Sequence, residues 1–299
     1  MTVRADKEGR LPDGTRTLNG RLAVDGRMLN AMSVDLEDWF CVYNLSGAIP
    51  RKRWDDCESR VGANTRRLLE LFAKHDVRAT FFVLGWIAER HPGLIAEISE
   101  RGHEIATHGY SHTMLTELSP LEFEEDLKKA LAVTQKSTRD PIVGFRAPSF
   151  SLTSRTMWAL DVLSRHGIRY DSSVYPVAHH PDYGIPDAEL SIHQITDSVT
   201  EFPLGCAELF GARVPCSGGG YFRMMPYPAT RWLLERCNRQ GRPFVFYIHP
   251  WEIDPGQPRV PAPALKRFRH YINLDKTHDR LDRLLGSFRF TSIRDILHL

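Results

Sequence analysis

"LNAMSVDLED" (residues 29–38) is the stretch on which the fold turns. It carries no charge through Val34 and then places Asp35, Glu37 and Asp38 within four positions. A short apolar run of this kind reads as a buried strand, over 29–34, with acids at its C-terminal end. In parallel α/β folds that end is where sites are built, because loops from several strands converge there.

The rest of the chain repeats the theme. Apolar, β-branched or aromatic runs predict strands over 78–84, 104–107, 142–145 and 168–170. Helical patterns over 59–75, 87–101, 119–137 and 153–166 alternate with them. Leu68, Leu69 and Phe72 share one helical face. Ser119 with Glu122 has the spacing of a capping box, Pro120 suits a first helical turn, and Gly102 suits a helix stop. Strand–helix alternation implies parallel strands with covering helices.

From about residue 175 the pattern loosens. It predicts a loop over 175–190, a strand over 200–204 and a glycine-rich loop over 216–220. A helix over 228–239, a strong strand over 243–248, a long helix over 263–285 and a last strand over 288–291 follow. There is no internal repeat, so residues 28–299 read as a single domain. Residues 1–27, polar and rich in Arg, Gly and Asp, read as a mobile extension.

Six polar groups fall at or just after predicted strand ends: Asp35, Glu37, His108, Arg146, Asp171 and His249. His108-Gly-Tyr-Ser-His112 can aim two imidazoles at one ion, whereas an isolated pair with this spacing is more often structural. Strand alternation puts Asp35 and Glu37 on one side, so one could ligate a metal while the other takes a proton from water. Arg146 could pair with such a carboxylate and keep it charged. Asp171 could orient an imidazole. His249, ending the strongest strand of the second half, suits general acid–base work. Trp39, Tyr221, Phe222 and Trp251 could stack on sugar rings, although aromatics are more often core. The remaining histidines carry no assigned role.

Composition narrows the field. Hydrophobic residues are 42%, charged residues 25% and the formal net charge is +2. With basic residues scattered, nucleic acid is set aside as a partner. No apolar run reaches the roughly 20 residues of a membrane span, and the N-terminal stretch has no apolar core of a secretory signal. Five cysteines without a CxxC pair argue against a disulfide framework or a structural zinc site. Together these features predict a cytoplasmic protein, peripheral at most to the inner face of the membrane.

Taken in order, the segments resemble the polysaccharide deacetylases of the NodB-homology type, carbohydrate esterase family 4. "SVDLED" stands where the acidic first motif belongs. "HGYSH", "GFRAPSF", "YDSSVYP" and "YIHP" are similar to the four motifs that follow. "DLEDWF" and "HPWEIDP" are closer still to a branch found with exosortase-linked exopolysaccharide genes. The resemblance implies a distorted, incomplete (β/α) barrel. It also implies a divalent metal on His108, His112 and one carboxylate, with zinc the default and iron, cobalt or nickel compatible. Most of the family has two adjacent aspartates at the first motif. Here Asp35-Leu36-Glu37-Asp38 leaves the third ligand between Glu37 and Asp38, and strand alternation favours Glu37.

By the same resemblance, Asp35 acts as base and His249 as acid. Arg146 holds Asp35, Asp171 tunes His249, a backbone N–H near Ala147 meets the oxyanion, and Pro148 beside it contacts substrate. The implied reaction is removal of N-acetyl groups from a glycan such as an exopolysaccharide or its precursor. Two alternatives share the fold: a hydrolase of a small non-polymeric amide, and an inactive carbohydrate-binding barrel.

Overall fold

The computed structural model describes residues 23–24, 27–178 and 183–299. The expected N-terminal extension therefore lies largely outside the described residues, as do His179 and His180.

The strands are β1 (Ala23–Val24), β2 (Arg27–Leu36), β3 (Thr80–Val83), β4 (Glu104–Thr107), β5 (Gly144–Phe145) and β6 (Tyr170–Asp171). They continue with β7 (His193–Gln194), β8 (Thr200–Glu201), β9 (Cys206–Leu209), β10 (Ala212–Pro215), β11 (Val245–Ile248) and β12 (Arg289–Thr291). The helices are α1 (Val61–Lys74), α2 (Gly85–Arg90), α3 (Pro92–Glu100), α4 (Pro120–Thr134) and α5 (Ala159–Arg165). After them come α6 (Gly219–Met224), α7 (Tyr227–Arg239), α8 (Ala264–Tyr271), α9 (Leu274–Ser287) and α10 (Ile293–Leu297).

The β2–β3–β4–β5–β6–β8 ladder is parallel, and β11 joins β2 in parallel, Val245–Ile248 against Ala31–Val34. The sheet curls until Leu204, just past β8, meets Val245 in a single parallel bridge, and Gly218 meets Tyr247 in another. Closure by isolated bridges rather than a full ladder makes this the distorted, incomplete barrel that the sequence implied.

Helices cover the outside. Leu68, Leu69 and Phe72 of α1 are fully buried against the sheet, each contributing about 1.5–3 kcal/mol of apolar burial. Inside, the barrel is plugged at its lower end by Ile293 and Ile296 of α10, packed with Phe82 and Tyr170. Glu104 ties that plug together, accepting from Thr80 Oγ1 (2.6 Å), Tyr170 Oη (2.7 Å) and the Arg294 N–H (3.0 Å). The upper, C-terminal rim is left to the site.

Several elements differ from expectation. The helix expected over 87–101 breaks into α2 and α3 because Pro92 can start a helix but cannot continue one. The helix over 263–285 breaks into α8 and α9 at Asn273, which is left-handed at φ 51°. Only Ala159–Arg165 of the span 153–166 is α-helical. The β9–β10 hairpin, α6 and α10 were not foreseen. Ser119 and Glu122 do form the expected reciprocal cap.

Candidate active site

Alternation along β2 directs Ser33 and Asp35 into the barrel. Both meet Arg146 Nη1, at 2.9 and 2.6 Å. Arg146 comes from the end of β5 and is fully buried. Its remaining donors reach the Ser172 carbonyl (2.8 Å) and Ser172 Oγ (2.9 Å), and its guanidinium lies 4.0 Å from the centre of the Phe82 ring. A buried cation with this many acceptors and an aromatic face beneath it is satisfied, so it fixes the Asp35 carboxylate in place.

Glu37, just beyond β2, points to the same side. Its Oε1 lies 3.1 Å from His108 Nε2 and 2.8 Å from His112 Nε2. Burial opposes its ionisation. The imidazoles of His112 and His108 outweigh that and hold the carboxyl well below the usual range. Asp38 turns away and caps α1, accepting from Ser59 Oγ and the Arg60 and Val61 N–H groups at 2.8–3.1 Å. It is thus spent on a helix N-terminus.

The His108–His112 segment is a folded loop rather than a helical turn. Gly109 (φ 70°) and His112 (φ 57°) are left-handed. The loop is clasped by Asp126 of α4, which accepts from the Tyr110 and Ser111 N–H groups at 2.7 and 3.0 Å. His108 Nδ1 donates to the Arg146 carbonyl at 2.8 Å. With Nδ1 so engaged, Nε2 is the ring atom turned to the Glu37 carboxylate, free to share a proton with it or to give its lone pair to a cation. Electron-rich atoms this close call for a proton or a cation between them. Glu37, His108 and His112 offer ligand atoms all within 4.8 Å of one another, a mixed N/O set that fits zinc and other divalent transition metals.

His249 follows β11. Its Nε2 lies 3.8 Å from Asp35 Oδ2 and 3.9 Å from Glu37 Oε1. Its Nδ1 is held by Glu252 Oε1 at 2.7 Å, which also accepts the His249 N–H at 3.0 Å. Glu252 Oε2 in turn accepts from Arg223 Nε at 2.6 Å, and both side chains are buried. Burial acts against protonation of His249, but Glu252, Glu37 and Asp35 prevail and push its pKa up to about 9. Burial likewise opposes ionisation of Glu252, yet Arg223 and His249 bring it down to about 2.

This corrects the expected role of Asp171. Its carboxylate accepts from the Ser173 N–H (2.9 Å) and Ser173 Oγ (2.6 Å), and it sits beside Glu201 deep under the rim. Burial and the Asp171 charge keep Glu201 protonated well above its ordinary range. Among the described residues no hydrogen bond or ion pair joins Asp171 to His249; its partners are Ser173 and Glu201.

Three further residues sit elsewhere than expected. The Ala147 N–H already donates to Ser173 Oγ at 2.7 Å, so it is committed within the wall. Pro148 is buried, and its neighbours Ser149 and Phe150 line the cavity instead. Trp39 is core, its Nε1 donating to the Glu58 carbonyl. Tyr221 and Trp251 do line the cavity, Trp251 stacking between His249 (5.2 Å) and His270 (4.4 Å).

The cavity above these groups measures about 250 Å³ and is walled by Tyr43, Tyr183, Tyr221, Met224, Tyr247 and Trp251, with Asp35, Glu37, His108, His112 and His249 on its floor. Gly218 and Gly219 are required where they stand: a Cβ would lie 2.0 Å from the Tyr247 carbonyl oxygen and 2.6 Å from its hydroxyl. Reading the residues missed Glu252, Arg223 and Asp126. For Glu252 a signal existed, an acid three residues after His249 in the quoted "HPWE".

A curled parallel barrel with a His, His, carboxylate cluster and a separate Asp–Arg pair on its C-terminal rim defines a class of hydrolase-like α/β barrels. The description "Polysaccharide deacetylase" matches residues 53–170, and "Domain of unknown function (DUF3473)" matches 172–298. A Bacillus cereus peptidoglycan-N-acetylglucosamine deacetylase is 30% identical over 182 residues, 60% of this chain and 78% of that protein. A Helicobacter pylori peptidoglycan deacetylase is 32% identical over 36% of each chain. The crystal structure of a putative polysaccharide deacetylase from Mycobacterium smegmatis shares the fold, with TM-score 0.56 at 17% identity over 90% of both chains. The chain belongs to the polysaccharide deacetylase family. Several curated relatives are matched over only 33%, 36% and 44% of their own length.

Proposed function

We propose that the protein hydrolyses N-acetyl groups on a glycan, an exopolysaccharide or its precursor, with a divalent metal held by Glu37, His108 and His112 and zinc as the default. The carrying observation is the convergence of that triad, the Asp35–Arg146 pair and the Arg223–Glu252–His249 chain on one cavity floor. The named relatives that act on peptidoglycan N-acetylglucosamine support an acetamido sugar as the substrate unit. The "DLEDWF" and "HPWEIDP" stretches support the exosortase-linked branch. A cytoplasmic setting at the inner membrane face is part of the same proposal. Among the described residues, no helix is long and apolar enough to cross a membrane.

A cation in the triad would supply Lewis acidity toward the acetamide carbonyl and ease the deprotonation of water. The chain's own groups do the rest. Asp35, held in place by Arg146, takes a proton from the attacking water. The water oxygen bonds to the acetyl carbon, the C–N bond breaks, and His249 gives its proton to the departing nitrogen. The products are acetate and a free amino sugar. Glu252 keeps the His249 ring facing the floor and its imidazolium stabilised. The small cavity suits one sugar ring with its acyl group. Tyr221 offers its ring to it, while Trp251, covered on both faces by His249 and His270, backs the acid.

The test is acetate release from a panel of N-acetylated oligosaccharides in the presence of different divalent metals. Metal-dependent release supports the reading. Release only from small non-polymeric amides would replace the glycan, and saturable glycan binding with no release under any metal would make the chain a binding barrel.

A further inference from the structure

Residues 255–274 carry four cations, Arg259, Lys266, Arg267 and Arg269, and no Asp or Glu. At the chain's overall frequency of 37 acids in 299 residues, a stretch of this length would hold two or three. The bias is local, since the whole chain is nearly neutral at +2. α8 occupies the middle of this stretch and packs against α6 and the turn at Tyr43–Leu45, both of which contribute to the cavity wall. Arg269 itself lines the cavity.

Exposed apolar residues gather in the same place. Six large apolar side chains are exposed among the described residues; Met224 (39%) lines the cavity, and Leu265 (60%) and Phe268 (56%) lie on α8, the helix that carries Arg269. Leu265 and Phe268 are one turn apart on α8, with Lys266, Arg267 and Arg269 between and beside them. Among the described residues none of these three cations forms an ion pair with a carboxylate. Lys266 instead lies over the Tyr43 ring at 5.4 Å.

The surface is also rigidly mounted. Arg223 Nη1 donates to the carbonyls of Arg269 (2.9 Å) and His270 (2.7 Å). His270 Nε2 pairs with Gln257 Oε1 at 2.8 Å, and the Val260 N–H donates to Tyr271 Oη at 3.0 Å. The face is held in place before any partner arrives, so docking carries little ordering cost.

We infer that α8 and its flanking segment dock the protein on an anionic lipid surface, with the cavity mouth against the headgroups. Exposed Leu and Phe interleaved with Lys and Arg are what a charged bilayer accommodates, cations in the phosphate layer and apolar tips at the acyl boundary. A glycan alone would answer the cations and leave Leu265 and Phe268 wet. The docking stands whether or not the cavity turns over, so its test is independent of the hydrolase reading.

The test is co-sedimentation of the full chain with phosphatidylglycerol-rich vesicles and with pure phosphatidylcholine vesicles. Binding is expected to the former, weakening as salt screens the surface charge. Arg267→Gln should weaken it roughly fivefold, the usual effect of one basic residue near such a surface. Leu265→Ser with Phe268→Ser should weaken it by at least about tenfold. The three side chains replaced are exposed, so thermal melting should stay unchanged. Equal binding to both vesicle types, or variants that bind like the wild type, would overturn the inference. So would capture of a polyglutamate peptide without vesicle binding, which would assign the face to an acidic protein partner.

Discussion

Replacing Glu252 by Gln keeps the shape of the side chain and removes its charge. Glu252 accepts the backbone N–H and Nδ1–H of His249 and the Nε–H of Arg223, at 2.6–3.0 Å, with no water-exposed surface. His249 stands at about 9 against an ordinary 6.5, and Glu252 supplies the leading stabilisation, ahead of Glu37 and Asp35. A divalent cation against Glu37 would cancel much of that carboxylate's share, which leaves Glu252 the principal anion at His249. The sign is fixed by which form the carboxylate favours. It favours the imidazolium, so its loss lowers the His249 pKa. The basic limb of the kcat/KM profile for acetate release should therefore move to lower pH, by about 1–2 units. The acidic limb should stay, because the substitution leaves the Asp35–Arg146 pair untouched. Arg223, left buried without its counter-charge, should cost the variant about 3–5 kcal/mol of stability, read as a lowered Tm. Asp171→Asn is the contrast: with Asp171 bonded to Ser173 and away from His249, its profile should keep the basic limb in place. A basic limb unmoved by Glu252→Gln, or moved by Asp171→Asn, would refute the assignment.

Three other outcomes are expected. Elemental analysis of His108→Ala/His112→Ala should show the bound divalent ion lost, because two of the three converging ligand atoms are gone. Glu37→Ala should weaken metal binding in chelator competition, whereas Asp38→Ala should leave it intact and lower stability by about 0.5–2 kcal/mol through loss of a helix cap, seen in thermal melting. Asp126→Ala should release the Tyr110 and Ser111 N–H groups and reduce metal affinity about 10–100-fold, as loss of an outer hydrogen-bonding shell does.

The barrel was legible because its strands are buried and several of them run out at a polar residue of the site. A strand run that stops at Asp35, His108, Arg146 or His249 marks both an element and a rim. Glu37 and Asp38 face different neighbours in the structure, Glu37 toward His108 and His112 and Asp38 toward the start of α1. What the residues did not reveal depends on contacts distant in sequence. Arg223 reaches Glu252 across 29 residues, from a helix that begins in a glycine run and so looks like a loop. Asp126 lies mid-helix, where an acid normally reads as a solvated face, and only the folded His108–His112 loop gives it two N–H partners. Asp171 was misjudged because a strand-end position does not say to which side of the rim a carboxylate turns. The Ala147 N–H was misjudged because its donor is spent on Ser173, a hydroxyl 26 residues on.

The place of β2 bears on how the molecule comes into being. It is the strand that carries Asp35, yet its neighbours β11 and β12 begin at Val245 and Arg289, more than 200 residues later. During synthesis, then, this largely buried strand waits with one edge unpaired until the far end of the domain has left the ribosome. Contacts of such long sequence separation slow folding, and an open strand edge invites association with other chains. A ribosome stalled before Val245 would therefore hold a nascent chain that is sticky as well as inactive, and chaperone demand during production should track the delay before that last segment arrives.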